Sequence, residues 1–227
     1  MTLSMRHYGD MSQIAAESVT RPPTPVQQPR VLDWAELEEQ LGALGSSGAA
    51  KVAAFVEVRR RFLRGQKLEM RDLSRELGIG RATLYRWFGN REWLLGEVLW
   101  SLGRLAIADA ESRATGNGTA RALQIYGSFL EHTAANVPLR RFVAGDPELA
   151  LRVMTTNASP LQRNLVATNR ALLATAFADE RRRPSLPIDD LAYVMVRIGE
   201  SFSWREFITG EQPDVGRAVD VVQVLLG

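Results

Sequence analysis

The sequence predicts an all-α protein. From Ala49 onward, apolar residues recur at helical spacing almost without interruption. No segment combines the alternating pattern of a strand with a hairpin turn. The chain has 227 residues, 45% of them hydrophobic and 24% charged, which is typical of a globular protein with a substantial core.

The first 47 residues are expected to form an extension outside the compact body. Residues 1–30 have few large apolar side chains and end in RPPTPVQQPR, whose four prolines exclude a helix interior or a central strand. We expect a mobile arm there, and favour a solvated tail over a DNA-binding or partner-binding arm because its net charge is not positive. Asp33 is placed to cap a short helix, WAELEEQLGAL, and residues 45–48, GSSG, predict a turn or linker after it.

Start and stop signals divide the rest of the chain into helices. Gly65 and Gly78 follow periodic segments, as C-terminal glycines do, and Asn90 and Thr119 precede such segments, as N-caps do. Prolines at 138, 147 and 160 separate shorter pieces. The predicted helices span 49–65, 70–78, 79–88, 90–114, 119–133, about 160–182, 188–209 and 214–226.

The positive charge is concentrated in one segment. Residues 51–104 hold 12 basic and 6 acidic residues, a net charge of +6, whereas residues 1–50 carry −3 and residues 105–227 carry −1. A local basic patch on an otherwise nearly neutral protein indicates a module that binds a polyanion.

Within this segment, MRDLSRELG, IG and RATLYRWF have the pattern of a helix-turn-helix motif. A glycine stands at the turn, and Leu73, Leu77, Ile79 and Leu84 are the predicted contacts between the two short helices. The exposed face of the second helix is predicted to carry residue types that suit a DNA major groove. These residues are Arg81, Thr83, Arg86 and Trp87, with Tyr85, Trp87 and Arg91 placed to hold phosphates.

The stretch LEMRDLSRELGIGRATLYRWFGNREWLL resembles the DNA-binding domain of TetR-family transcriptional regulators. The residues that carry the resemblance are Leu84, Tyr85, Trp87, Phe88, Arg91, Glu92 and Leu94, with Gly78 as the turn glycine. The resemblance implies that Tyr85 and Arg91 contact phosphates, and that Arg81, Ala82, Thr83 and Arg86 approach bases or backbone. Arg71, in the preceding helix, completes the predicted DNA-binding set.

Three residues depart from the family pattern. Gly80 replaces the Ser or Thr that usually caps the recognition helix, at an expected cost of about 0.5 kcal/mol or less. Arg91 replaces the usual Lys, which keeps the charge and changes its reach. Ser74 replaces the usual Ala, which we expect to be a small change.

The resemblance also implies the domain organisation and the partners. It predicts an N-terminal helix-turn-helix domain over residues 48–104 and a larger helical domain over 105–227 for ligand binding and dimerisation. A homodimer would form through the last long helices and bind a double-stranded inverted-repeat operator. The expected activity is that of a repressor released by a small-molecule effector.

A ligand site is expected among aromatic and polar residues of the larger domain. A mixture of aromatic rings with a hydroxyl, an imidazole and an indole N–H suits a small, mostly apolar ligand with a polar head, although the same residues also suit an ordinary core. The candidates are Tyr126, Phe129, His132, Phe142, Met154, Phe177 and Trp204.

The C-terminal runs LAYVMVRIGESFSWREFITGEQPD and RAVDVVQVLL resemble the QsdR-type group within the family. These regulators of actinobacteria are linked to catabolism of γ-lactones and acyl-homoserine lactones. The resemblance implies a lactone or acyl-homoserine lactone as effector.

Two other classes of function were weighed. An enzyme is disfavoured because the chain has two histidines, no cysteine and no phosphate-binding or nucleophile motif. A DNA-organising protein of the same fold without a ligand stays open, and a thermal-shift screen against small amphiphiles would discriminate it. We expect no cofactor, no metal site and no membrane segment, and a cytoplasmic location.

Overall fold

The structure is a computed structural model that describes residues 45–227. The predicted arm and the helix capped by Asp33 therefore lie outside the described residues. Within the described part there are eleven helices and no strand, which confirms the all-α prediction. The helices are α1 Gly45–Leu63, α2 Met70–Glu76, α3 Arg81–Phe88, α4 Arg91–Arg113, α5 Gly118–Ala135, α6 Val137–Gly145, α7 Pro147–Thr155, α8 Leu161–Glu180, α9 Ile188–Ser203, α10 Arg205–Ile208 and α11 Val215–Leu226.

Most helix ends lie where the sequence signals put them. The side chain of Asn90 accepts a hydrogen bond from the Trp93 N–H at 2.8 Å and so caps α4. Asp214 caps α11 in the same way, through the Arg217 N–H at 3.0 Å. Gly65 and Gly78 have φ values of 72° and 64°, the left-handed conformation that ends α1 and α2.

The predicted linker at residues 45–48 is wrong, because these residues form the first turn of α1. Glycine and serine are weak helix formers, but a first turn costs them little because its N–H groups lack helical partners in any case. The helix that continues from this turn buries Ala54, Val58 and Phe62, and that packing outweighs local propensity.

The prediction that Thr119 caps α5 is wrong. The helix begins at Gly118, and the carboxylates at the end of α8 bind its first N–H groups. Asp179 Oδ2 accepts from the Gly118 N–H at 3.4 Å, and Glu180 Oε1 accepts from both the N–H and the hydroxyl of Thr119 at 2.6 Å. Sequence signals indicate only local caps, whereas this one comes from 61 residues away.

The single helix predicted over 188–209 is also wrong, because it breaks at Trp204. Trp204 has φ −111° and ψ 18°, outside helical geometry, and separates α9 from α10. Its indole is only 5% exposed and packs in the core, so the break lets this large side chain be buried.

Two clusters of buried side chains hold the fold together. In the first cluster, residues of α1, α2, α3 and the first half of α4 pack against residues of α6 and α7 and against Trp204. The second lies between α5, α8, α9 and α11. The N-terminal helices therefore pack directly on α6 and α7 of the larger helical part. Among residues 45–227, no helix is long and apolar enough to span a membrane.

Candidate nucleic-acid interface and ligand cavity

A tight turn joins α2 to α3. At Gly78 the chain takes φ 64°, and the Ile79 N–H donates to the Ser74 carbonyl at 3.1 Å. The Ser74 hydroxyl donates back to the Ile79 carbonyl at 2.6 Å, so the two residues hold the turn through reciprocal hydrogen bonds. This geometry fixes α3 on α2 as a helix-turn-helix motif. The expectation that serine at position 74 is a minor change missed the second hydrogen bond.

Helix α3 has one buried face and one exposed face. Leu84 and Phe88 are 0% and 5% exposed and anchor the helix in the first core. The opposite face carries Arg81, Ala82, Tyr85 and Arg86, all exposed, while Thr83 and Trp87 are half-buried between the two faces. The predicted recognition residues therefore lie together on the solvent side of the helix.

Three arginines of this region are available to an external partner. Within the described chain, Arg71 on α2 and Arg81 and Arg86 on α3 are exposed and have no carboxylate within 4 Å. Tyr85 lies beside them with 46% of its surface exposed. Arginines without intramolecular ion pairs beside a hydroxyl are the donor types that phosphate and guanine require.

Arg91 is placed differently from the other predicted DNA contacts. Its Nε donates to the Leu68 carbonyl at 2.7 Å, and its Nη2 lies 3.3 Å from Glu69 Oε1. Its Nη1 lies 3.9 Å from Asp146 Oδ2, at the start of α7. The side chain is 24% exposed, so much of the guanidinium is engaged within the protein. Its contact with phosphate stays a prediction.

A cavity of about 90 Å³ lies in the larger helical part, between α4, α5, α8 and α9. Leu99, Leu102 and Ala106 of α4 give it one apolar wall, and Leu161 and Leu165 of α8 give another. Its lining, mostly apolar with a few polar groups, is that of a small-molecule site, but its volume is below the roughly 300 Å³ at which such sites usually begin.

Four of the seven predicted ligand residues line this cavity: Phe129, His132, Met154 and Trp204. The other three lie elsewhere. Tyr126 is buried in the second core and donates its hydroxyl to the Met195 carbonyl at 2.9 Å. Phe142 packs its ring edge on Phe62 with centroids 5.7 Å apart, and Phe177 packs in the second core beneath the Arg182 guanidinium.

Sequence reasoning missed the polar residues of the cavity. Thr133 and Asn136 line it from the end of α5, and Glu200 and Ser203 line it from α9. The spacing of Glu200 and Ser203 puts them on one helix face. That signal is weak, because polar residues at this spacing are just as common on solvent-exposed faces.

Glu200 is a buried carboxylate with close partners. Its side chain is 13% exposed, its Oε1 accepts a hydrogen bond from Gln162 Nε2, and its Oε2 lies 2.7 Å from Arg197 Nη1. Burial raises the pKa of this carboxyl to about 7, against the opposing effects of Arg197 and Gln162. Glu200 in turn helps burial to raise the pKa of the Tyr126 hydroxyl.

A helix-turn-helix motif on an all-helical body defines the class of protein as a DNA-binding transcriptional regulator. Residues 117–227 match the model of the tetracyclin repressor-like C-terminal domain. The chain is similar to the structure of the R. erythropolis transcriptional repressor QsdR from the TetR family, with 26% identity and a TM-score of 0.72. That match covers 79% of this chain and 95% of the QsdR chain. A comparison with curated protein sequences gives no match.

Residues 117–227 therefore form a C-terminal domain of the TetR family, and the described fold is similar to that of a TetR-family repressor. This confirms the resemblance stated from residues 68–95. Homologues in this family are non-enzymatic transcription factors that bind DNA operators, dimerise and respond to small molecules.

Proposed function

We propose that this protein is a dimeric repressor that binds an inverted-repeat operator and is released from it by a small molecule. The observation that carries the proposal is the exposed face of α3, where Arg81 and Arg86 have no ion-pair partner in the described chain and flank Tyr85. In this proposal residues 48–104 form the DNA-binding domain and residues 105–227 form the ligand-binding and dimerisation domain. The repressor acts in the cytoplasm, where its operator is.

Residues of α2 and α3 divide into two proposed roles. Arg86 and Thr83 read base edges in the major groove, because a guanidinium can make bidentate bonds to guanine and a threonine methyl fits beside the thymine methyl. Tyr85 and Arg71 bind phosphates, which sets the position of the helix and contributes little to sequence preference. Arg81 and Ala82 lie at the start of α3, where the backbone approaches the groove.

Selection from a random pool of duplex DNA tests this division. We expect the pool to converge on one dyad-symmetric sequence. Arg86→Ala and Thr83→Ala should change the selected bases, at a cost of about 1–3 kcal/mol on the original operator. Tyr85→Phe should weaken binding to operator and unrelated DNA by a similar factor. Arg113→Ala, which removes an exposed arginine at the far end of α4, is the control and should bind as wild type.

Arg91 needs a separate experiment because its partners are intramolecular. A phosphate contact predicts that Arg91→Ala weakens DNA binding and reduces its dependence on salt by about one counterion, in addition to the loss of stability that follows from losing the bond to Leu68. A purely structural role predicts a lower unfolding midpoint and an unchanged salt dependence. The predicted DNA-contact role is contradicted by the second result.

The dimer is proposed to form on α9 and α11. These helices run antiparallel: the Asp214 N–H at the start of α11 donates to the Phe202 carbonyl at the end of α9, and Ser185, just before α9, donates to the Leu225 carbonyl at the end of α11. Tyr193, Val221 and Val224 are 54%, 37% and 81% exposed, and a dimer contact on these helices would bury such apolar side chains. Light scattering at micromolar concentration should give twice the chain mass. A monomer would contradict the proposal.

Ligand is proposed to act through α4 and α7. Helix α4 lines the cavity at Leu99 and begins beside α3, so a tilt of this helix changes the separation of the two recognition helices in a dimer. Helix α7 lines the cavity at Met154 and carries Arg152, whose Nη2 lies 3.1 Å from Glu92 Oε1 in the first turn of α4. A ligand that displaces Met154 therefore acts on the same end of α4 that holds Arg91.

Release requires ligand to bind the DNA-incompetent state more tightly than the DNA-bound state. A difference of about 2–3 kcal/mol lowers operator affinity about 30- to 150-fold. By linkage, operator must weaken ligand binding by the same factor. Titrations of a medium-chain γ-lactone with and without operator test this, since a lactone or acyl-homoserine lactone is the proposed effector. Equal lactone affinity in the two titrations would contradict release.

A further inference from the structure

Helix α1 carries a second apolar stripe, apart from the face that packs in the first core. Its residues recur at helical spacing and so share one face of the helix: Val52, Val56, Arg59 and Leu63. Val56 and Leu63 are 38% and 41% exposed, and Val52 and Arg59 are half-buried. This α1 stripe suits contact with another amphipathic helix.

One residue of the α1 stripe, Arg59, borders a basic groove where α1 packs on α4. Burial, and after it the charge of Arg104 on α4, lower the pKa of the Arg59 guanidinium, so the two arginines lie close together. Burial raises the pKa of Glu97, also on α4, against the opposing charges of Arg163, Lys51 and Arg104. In the described part of the chain, the basic groove thus places these four cations around the carboxylate of Glu97. An occupant with several carboxylates is complementary to this charge.

Residues 33–44, DWAELEEQLGAL, have the pattern that matches this surface. They contain four carboxylates and no basic residue. Their large apolar residues share one face of the predicted helix: Trp34, Leu37, Leu41 and Leu44. Glu36 and Glu38 flank that face, whereas Glu39 falls on the opposite side. The segment ends where α1 begins, at Gly45, so the short connection keeps its effective concentration at the stripe on the order of millimolar.

We propose that residues 33–44 fold back as an amphipathic helix, with their apolar face on the α1 stripe and with Glu36 and Glu38 toward the basic groove. Gly42 lets the chain reverse before α1, as a hairpin of two helices with a short loop requires. The segment acts as a clasp that holds α1, in the DNA-binding domain, on α4 and, through Arg163, on α8. This contact needs neither DNA nor a small molecule, so it goes beyond the proposed function and does not depend on it.

Cysteine cross-linking tests the clasp in the full chain, which contains no cysteine of its own. A hairpin that turns at residues 42–45 places Leu37 beside Val52. Leu37→Cys combined with Val52→Cys should therefore form a disulfide within one chain on mild oxidation. The matched control is Glu39→Cys with Val52→Cys, because Glu39 falls on the opposite side of the predicted helix. We expect the first pair to close at least about tenfold faster than the control pair.

Charge variants test the role of the basic groove. Glu36→Gln and Glu38→Gln, added to the Leu37–Val52 cysteine pair, should slow disulfide formation about threefold or more, because docking loses its ion pairs. Glu39→Gln in the same background is the control and should leave the rate unchanged. Salt at about 1 M should slow closure of the parent pair and have little effect on the variant that lacks both carboxylates.

Hydrogen exchange of the unmodified protein is an independent measurement. Amides of residues 34–41 should exchange about tenfold or more slowly than those of a free peptide of the same sequence, because docking protects them. Exchange as fast as in the free peptide would overturn the proposal. So would equal closure of the two cysteine pairs, or a disulfide that forms only between two chains.

DNA phosphate is the other occupant that the basic groove could take. Arg163→Gln, at an exposed residue of the groove, should leave operator affinity unchanged if the groove holds residues 33–44. Weaker operator binding by this variant would assign the groove to DNA and overturn the clasp. Failure of the wild type to bind any specific DNA would contradict the proposed function and leave the cross-linking and exchange results to decide the clasp.

Discussion

At the residue scale, single polar side chains at helix ends decide the local geometry. Ser74 holds the turn before α3, and the carboxylates of Asp179 and Glu180 hold the start of α5. Each occupies hydrogen-bonding groups that a helix end would otherwise leave unpaired. The position of α3, and with it the DNA-binding face, depends on the first of these.

Removing the Ser74 hydroxyl should loosen the helix-turn-helix motif. Ser74→Ala leaves the half-buried Ile79 carbonyl without this donor, and we expect the variant to be about 1 kcal/mol less stable than Ser112→Ala. Ser112 is the control because its exposed hydroxyl makes a similar bond, to the Asp109 carbonyl at 2.8 Å, and both variants gain the same helix propensity. Urea unfolding of the two variants measures the difference. Equal stabilities would mean that the hydroxyl does not hold the turn.

Glu200 should make the fold less stable as pH rises from about 4.5 to about 7. Its pKa is raised from 4.5 to about 7 in the folded state, mainly by burial. Over this interval the folded protein binds a proton that the unfolded chain releases, so the free energy of unfolding falls as pH rises. Glu200→Gln should flatten this fall, measured as urea midpoints at pH 5 and pH 8. Glu97, whose pKa burial also raises, acts in the same direction, so part of the slope should persist. A slope as steep as the wild type's would count against this account.

At the scale of elements, close approach of helices joins the two parts of the chain. Gly96 of α4 packs against the turn before α8 so closely that an added Cβ would lie 2.3 Å from Ser159 Cβ and 2.9 Å from Pro160 Cδ. The Ser159 hydroxyl is itself fixed by the Val153 carbonyl of α7 at 2.7 Å. Helix α4 is therefore held against α7 and α8 near its N-terminus, beside the residues that position α3.

Gly96→Ala should destabilise the protein by about 1–3 kcal/mol, because neither the turn nor the helix can yield without losing its packing. Gly103→Ala on the same helix is the matched control. Its added Cβ would have its nearest neighbour at 3.8 Å, so better helix propensity should stabilise the fold by about 0.5–1 kcal/mol. Thermal unfolding of both variants checks the contrast. Similar midpoints for the two would contradict the close approach.

The helices could be predicted from the sequence more completely than the site. Caps such as Asn90 and Asp214 act within their own turn, so local signals locate them. The start of α5 and the break at Trp204 could not be predicted, because the residues that stabilise them lie far away in sequence. The DNA-binding face follows from a local motif, whereas the cavity combines side chains from six helices, α4 to α9. Its buried polar end at Glu200 and Ser203 carries no signal that distinguishes it from a surface.

At the scale of the whole molecule, the proposed dimer has two-fold symmetry, and the DNA-binding face of each chain is one half of its DNA-binding surface. A single α3 brings only a few side chains to the DNA, which limits its sequence specificity. A dimer doubles the number of these side chains. A two-fold dimer requires two half-sites of opposite orientation, separated by about one turn of DNA, 10–10.5 bp, or a multiple of it. The dimer contact on α9 and α11 and the exposed face of α3 are thus parts of one claim.

Hydroxyl-radical footprinting on the DNA selected by the wild-type protein tests that claim most directly. A two-fold dimer predicts two protected half-sites related by a dyad, their centres about 10 bp or a multiple of that apart. It also predicts that Arg86→Ala weakens protection of the same bases in both half-sites. A single protected block without dyad symmetry, or protection that does not depend on sequence, would contradict it.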